Sequence, residues 1–108
     1  MMFGRVEAVA ELASEPSGSE GVRVTVYLEA HHRIEIVRDE VLPLLRPVDH
    51  PTDIAWHADQ YAQETIATDL AQQGWEVIAG GDIPEPEPGA MPRSASYALR
   101  RIGESGYQ

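Results

Sequence analysis

The chain has 108 residues, room for one domain with one modest core, which excludes barrels, doubly wound dehydrogenase folds and any separate substrate domain. With 18 Asp and Glu against 8 Arg the formal net charge is -10, so a phosphate backbone is repelled and direct nucleic-acid binding is not expected. Hydrophobic residues make up 43%, enough to fold, and the absence of cysteine removes disulfides, thiol nucleophiles and Cys-based zinc sites.

Gly4 to Leu12 alternates, with Val6, Ala8 and Ala10 on one side and Arg5, Glu7 and Glu11 on the other, the period of a half-buried strand. Ser14 to Gly21 is turn chemistry. From Val22 to Ala30 the alternation returns with Val22, Val24, Val26 and Leu28 facing one way, and the two runs predict a hairpin. The even-numbered register continues formally through His32, Ile34 and Ile36. A single strand that long is improbable on length grounds, so a turn is placed at Ala30 to Arg33 and a third strand at Arg33 to Val37. Pro43 and Pro47 make the following VLPLLRPV segment an edge strand or a single helical turn.

Asp49 to Gln73 predicts the helix. Thr52 or Asp49 serves as N-cap, Pro51 fits the first turn, Asp53 complements the dipole, and Gly74 closes the C-terminus in a left-handed conformation. Ile54, Ala58, Ala62, Ile66 and Leu70 form the buried row, drifting slowly around the axis; His57, Gln60, Glu64 and Thr68 are placed on the far side. Trp75 to Gly80 and Ser94 to Ile102 read as the last two strands. Between them residues 81–92 form an acidic loop whose prolines at 84, 86 and 88 favour an extended arm, and residues 103–108 read as a frayed tail.

The expected fold is therefore a single α+β domain over 1–108, a two-layer sandwich of about four to five antiparallel strands and one long helix, in the order β-β-β-α-β-β. Within it, the helix, Gly74-Trp75-Glu76-Val77-Ile78, a loop, and a strand ending Tyr97-Ala98-Leu99-Arg100-Arg101 resemble the DUF4177 group of small bacterial and phage domains, whose pattern is helix, GWELV, loop and a strand with basic end. The resemblance covers roughly the second half. The longer N-terminal strand region and the acidic proline arm depart from it. It implies a compact α+β sandwich and no established chemistry.

No phosphate-cradling loop and no nucleophile elbow is present, so neither nucleotide binding by those devices nor a serine triad is expected. The four histidines lack recognised ligand spacings. His31 and His32 are adjacent, Glu29, His31 and Glu35 read as a charge-compensated surface stripe around Arg33, and Asp53 with His57 reads as a helix-surface pair, so no metal and no cofactor is expected. Paired acids such as Asp39 and Glu40 read as solvated charge.

Four residues stand out as contacts for a partner. Trp75 reads as a core plug, but Trp56 lies off the apolar row and Tyr27 lies on the polar face of its strand. Arg100 and Arg101 concentrate positive charge at the end of an otherwise acidic chain. The leading expectation is a non-enzymatic interaction protein that binds a protein partner or a second copy of itself. A binder of small molecules or metal ions at the helix/sheet cleft near Trp56, His57 and Tyr61, with or without enzymatic activity, is one alternative; an acidic mimic of nucleic acid is another. The absence of Lys and Asn points to a GC-rich genome, bacterial or phage, and the lack of a leader or apolar span to a cytoplasmic location without membrane contact.

Overall fold

The computed structural model describes residues 2–82, 89 and 92–101. Five antiparallel strands, β1 (Met2–Ser14), β2 (Glu20–Ala30), β3 (Arg33–Pro43), β4 (Trp75–Asp82) and β5 (Ser94–Arg101), form one sheet in the order β3-β2-β1-β5-β4. Among the described residues a single α-helix, α1, begins at Asp53 between β3 and β4. The chain is an α+β domain in the order β-β-β-α-β-β. The proline-bearing stretch of the acidic loop and the tail at 103–108 lie outside the described residues. Among the described residues no helix is long and apolar enough to cross a membrane.

The register follows from the alternation. Val6 pairs with Leu28, Ala8 with Val26 and Ala10 with Val24, so both runs of apolar side chains reach the same face, and β5 adds Ala95, Tyr97 and Leu99 to it. Ile54, Ala58, Ala62, Ile66 and Leu70 of the helical segment close that face, all buried as the apolar row requires. Alanines on both layers let the backbone of α1 lie close to the strands.

The helical segment has three parts: α1 proper over Asp53–Thr65, a π-helical turn over Ile66–Leu70 and a 3-10 turn over Ala71–Gln73. The π turn has a cause in the sequence. Apolar residues spaced by four run ahead of a 3.6-residue turn, and a wider i to i+5 turn undoes that drift. Leu70 therefore remains fully buried. Gly74 ends the segment at φ 91°, as expected of a left-handed C-terminal glycine.

Several expectations are corrected. The helix starts at Asp53 rather than Asp49, and Thr52 makes no side-chain cap bond. Instead the Asp53 carboxylate reaches back to accept the backbone N–H groups of Asp49 and His50, both at 2.8 Å. His57 is not on the far side: it is fully buried, its Nε2 accepting the Leu45 N–H at 3.0 Å while Nδ1 donates to the Asp53 carbonyl at 2.8 Å. A polar side chain can sit there because both ring nitrogens find backbone partners.

The third strand extends to Pro43, six residues past its predicted end, and the edge reading of that segment holds because β3 borders the sheet. Proline is tolerated where no neighbour needs its N–H. The turn at Ala30 to Arg33 is a two-residue reversal, with His31 and His32 at φ 53° and 60°. That reversal moves Ile34 and Ile36 off the core register. Ile34 pairs with Glu29 and Ile36 with Tyr27, on the face away from the helix, while Glu35, opposite Leu28, points to the helix side; Glu29 and Glu35 thus do not share a face. A bulge after Ile36 then switches the parity, so that Arg38, opposite Val26, faces the helix.

Arg38 uses that position as a strap. It donates to Glu64 on the helix at 2.8 Å, to the Thr65 hydroxyl at 3.2 Å and to Glu40 on its own strand at 2.6 Å.

Candidate interaction surface

Among the described residues one helix covers one face of the sheet and nothing covers the other, the open face. Its strands present Phe3, Arg5, Glu7, Val9 and Glu11 from β1 and Arg23, Thr25, Tyr27 and Glu29 from β2, the residues that alternate with the buried set. Large apolar side chains stand exposed there: Phe3 at 62%, Ile34 at 67% and Ile36 at 58%. Tyr27 lies half-buried among Arg5, Glu7, Glu29 and Ile34, which together line a shallow hollow of about 230 Å³.

The relief of this face is uneven. On the β2–β3 side, Tyr27, Ile34 and Ile36 make a ridge. On the β5–β4 side, Ser96 and Ala98 with Ala79 and Gly80 leave a trough, because none of them carries a large side chain. Gly80 cannot be anything larger, since a Cβ would meet the Ser96 carbonyl and the Tyr97 Cα at 2.6 Å.

Charge on the open face is largely consumed within it. Arg5 approaches Glu7 at 3.7 Å and Glu29 at 3.9 Å, Arg23 pairs with Asp39 at 3.0 Å, and Arg100 pairs with Glu76 across β4–β5. Arg23 also shares Asp39 with the Thr25 hydroxyl, and these hydrogen bonds, the one from Arg23 first, hold the Asp39 carboxyl below the usual range.

The four singled-out residues separate in space. Tyr27 and Arg100 both stand on the open face, Tyr27 on the ridge and Arg100 at the β4–β5 border. Arg101 is opposite Trp75 on the helix side, where its Nε donates to the Gln73 carbonyl at 2.8 Å and its guanidinium lies 6.0 Å from the indole centroid. Trp56 is on the helix, half-buried, with the Arg46 guanidinium 3.8 Å over its ring and the His57 ring edge-on at 4.9 Å. Both tryptophans are thus covered by an arginine, Trp75 as the expected core plug at 5% exposure.

The cleft expected near Trp56, His57 and Tyr61 is closed by packing. Tyr61 is buried and donates its hydroxyl to the Pro43 carbonyl at 2.7 Å, and His57 spends both nitrogens on backbone. Among the described residues no group of three or more His, Asp or Glu converges as metal ligands would. Sequence reasoning missed Phe3, Ile34 and Ile36 as surface residues. The signal was available for Phe3, in the odd register of β1, but for the two isoleucines it depended on the turn.

Comparison with known proteins returns no matching family model, no matching curated protein and no matching solved structure.

Proposed function

We propose that this chain is a small acidic interaction protein without catalytic chemistry, and that the open face of its sheet receives a second copy of the chain. The observation that carries the reading is the exposed row of Ile34 and Ile36 beside half-buried Tyr27 on the face opposite the helix, with exposed Phe3 farther along β1 on the same face. Monomeric proteins rarely leave such a patch to water.

Area supports it. Five strands about 4.8 Å apart and about 30 Å long present roughly 700 Å² per copy, or about 1,400 Å² for a pair, within the ~1,200–2,000 Å² of specific interfaces. Charge supports it too. The whole chain carries -10, yet the open face holds Arg5, Arg23 and Arg100 against Glu7, Glu11, Glu29, Asp39 and Glu76, mostly paired already. Two such faces meet without opposing the full charge of either molecule, and the remainder is screened beyond about 8 Å at physiological salt.

Shape selects the arrangement. A two-fold axis parallel to the strands and passing by β1 lays the ridge of Tyr27, Ile34 and Ile36 of one copy over the Ser96 and Ala98 trough of the other. Arg100 then borders the contact, while Arg101 and Trp56 lie away from it.

Light scattering tests the reading. The expected result is a dimer mass at micromolar concentration, more persistent at high salt. Ile36→Lys on the ridge and Ala98→Arg in the trough each yield a monomer with an unchanged circular dichroism spectrum. A wild-type monomer at high salt, or a dimer indifferent to both substitutions, would overturn it.

A further inference from the structure

The helical segment ends at Gln73, short of the β2–β3 turn, so among the described residues no helix covers that end of the inner sheet face. Between Gln73, Trp75 and the strand ends a cavity of about 280 Å³ opens on the helix side of the sheet. Met2, Leu28 and Trp75 supply an apolar floor, and Arg33 and Glu35, two residues apart on one face of β3, stand at its rim.

Arg33 makes no hydrogen bond or ion pair among the described residues, although the chain holds 18 carboxylates against 8 arginines. By contrast Arg5, Arg23, Arg38, Arg46 and Arg100 each engage a carboxylate. Glu35 is the acid nearest along the strand face, and the two do not pair. A guanidinium and a carboxylate thus flank one apolar cavity, both uncommitted, while Arg101 is held to the wall by the Gln73 carbonyl and the Trp75 ring.

The adjoining turn is costly for its residues. His31 and His32 both occupy left-handed backbone, at φ 53° and 60°, in a two-residue reversal whose favoured occupants are Asn and Gly. His31 lines the cavity.

We propose that the cavity binds a small apolar α-amino acid as its zwitterion: Arg33 takes the carboxylate, Glu35 the ammonium, and the side chain rests on Trp75, Leu28 and Met2. The volume of about 280 Å³, just below the ~300–1,000 Å³ usual for ligand pockets, suits a single small metabolite and not a nucleotide. A phosphate dianion is disfavoured by Glu35 and by the net charge of -10, whereas a zwitterion brings no net charge to an acidic molecule. Planar, bidentate recognition by guanidinium is the usual means of holding a carboxylate. The site goes beyond the self-association proposed above: Arg33 and Glu35 stand on the helix side of the sheet, and of the ridge residues Ile34 alone also borders the cavity.

The test is a titration with L-phenylalanine, 3-phenylpropionate and phenethylamine, reading the Trp75 indole N–H resonance. L-Phenylalanine is expected to shift it saturably. The two analogues, each lacking one charge, and L-phenylalanine against Arg33→Gln or Glu35→Gln, bind about tenfold more weakly or worse, with melting temperatures unchanged. No saturable shift with L-phenylalanine, or equal binding of either analogue to the wild-type protein, would overturn the proposal.

Discussion

Gly4 on β1 lies directly beneath the indole of Trp75 on β4, although β5 separates the two strands in the sheet. A Cβ placed on Gly4 would stand 2.9 Å from Cη2 and 3.0 Å from Cζ3 of the ring, and 3.2 Å from the Glu29 carbonyl. The glycine is what allows Trp75 to reach across Leu99, the partner of Gly4 on β5, and seal the end of the core.

Gly4→Ala is accordingly expected to destabilise the fold by about 1–3 kcal/mol through overpacking. Urea denaturation measures it. Adding Trp75→Phe in the same chain is expected to cost less than in the wild-type background, because the smaller ring no longer meets the new methyl group.

Asp53 predicts the acid limb of stability. Backbone N–H bonds from His50 and then Asp49, with Arg46 behind them, hold its carboxyl down to about 2 from the ordinary 3.8. A lowered folded value means that the contribution is complete above pH 4 and is lost as the pH falls from there through about 2. Asp53→Asn should lower stability at neutral pH and flatten this acid limb in thermal melts taken from pH 5 to pH 2; an acid limb as steep as that of the wild type would show that other carboxylates dominate it.

Tyr97 predicts the alkaline limb. Burial, then its hydrogen bond to the Asp59 carboxylate, push the phenol up to about 12 from 10. A raised folded value means that the stabilisation is present below pH 10 and is lost as the pH rises from 10 towards 12. Tyr97→Phe should remove the most resistant step from the ultraviolet phenolate titration and make stability less dependent on pH in that window.

Leu70 tests the account of the π turn. If the wider turn exists to keep this side chain in the core, Leu70→Ala removes a fully buried side chain and should cost about 2–5 kcal/mol by chemical denaturation. Substitution of Ile66 by Asp, which forces a charge against the sheet, should abolish cooperative unfolding altogether.

Alternation and turn chemistry were sufficient, from sequence alone, for the β1–β2 hairpin, the core row of the helix, its end at Gly74 and the burial of Trp75, because each depends on residues within a few positions of one another. What depended on distant chain segments was not legible. His57 reads as a surface residue from its helical position, and it is buried because the segment carrying Leu45 folds back over it and supplies an N–H. Ile34 and Ile36 continue the apolar register along the chain, yet a two-residue turn at His31 and His32 carries them to the open face, since reversing an antiparallel strand sets facing by pairing and not by count. The position of Gly4 under Trp75 brings together residues seventy-one apart by number across an intervening strand. Local periodicity decides which side chains leave the water, whereas the pairing of strands and the place where the helix ends decide which of the remaining ones stand together on a surface.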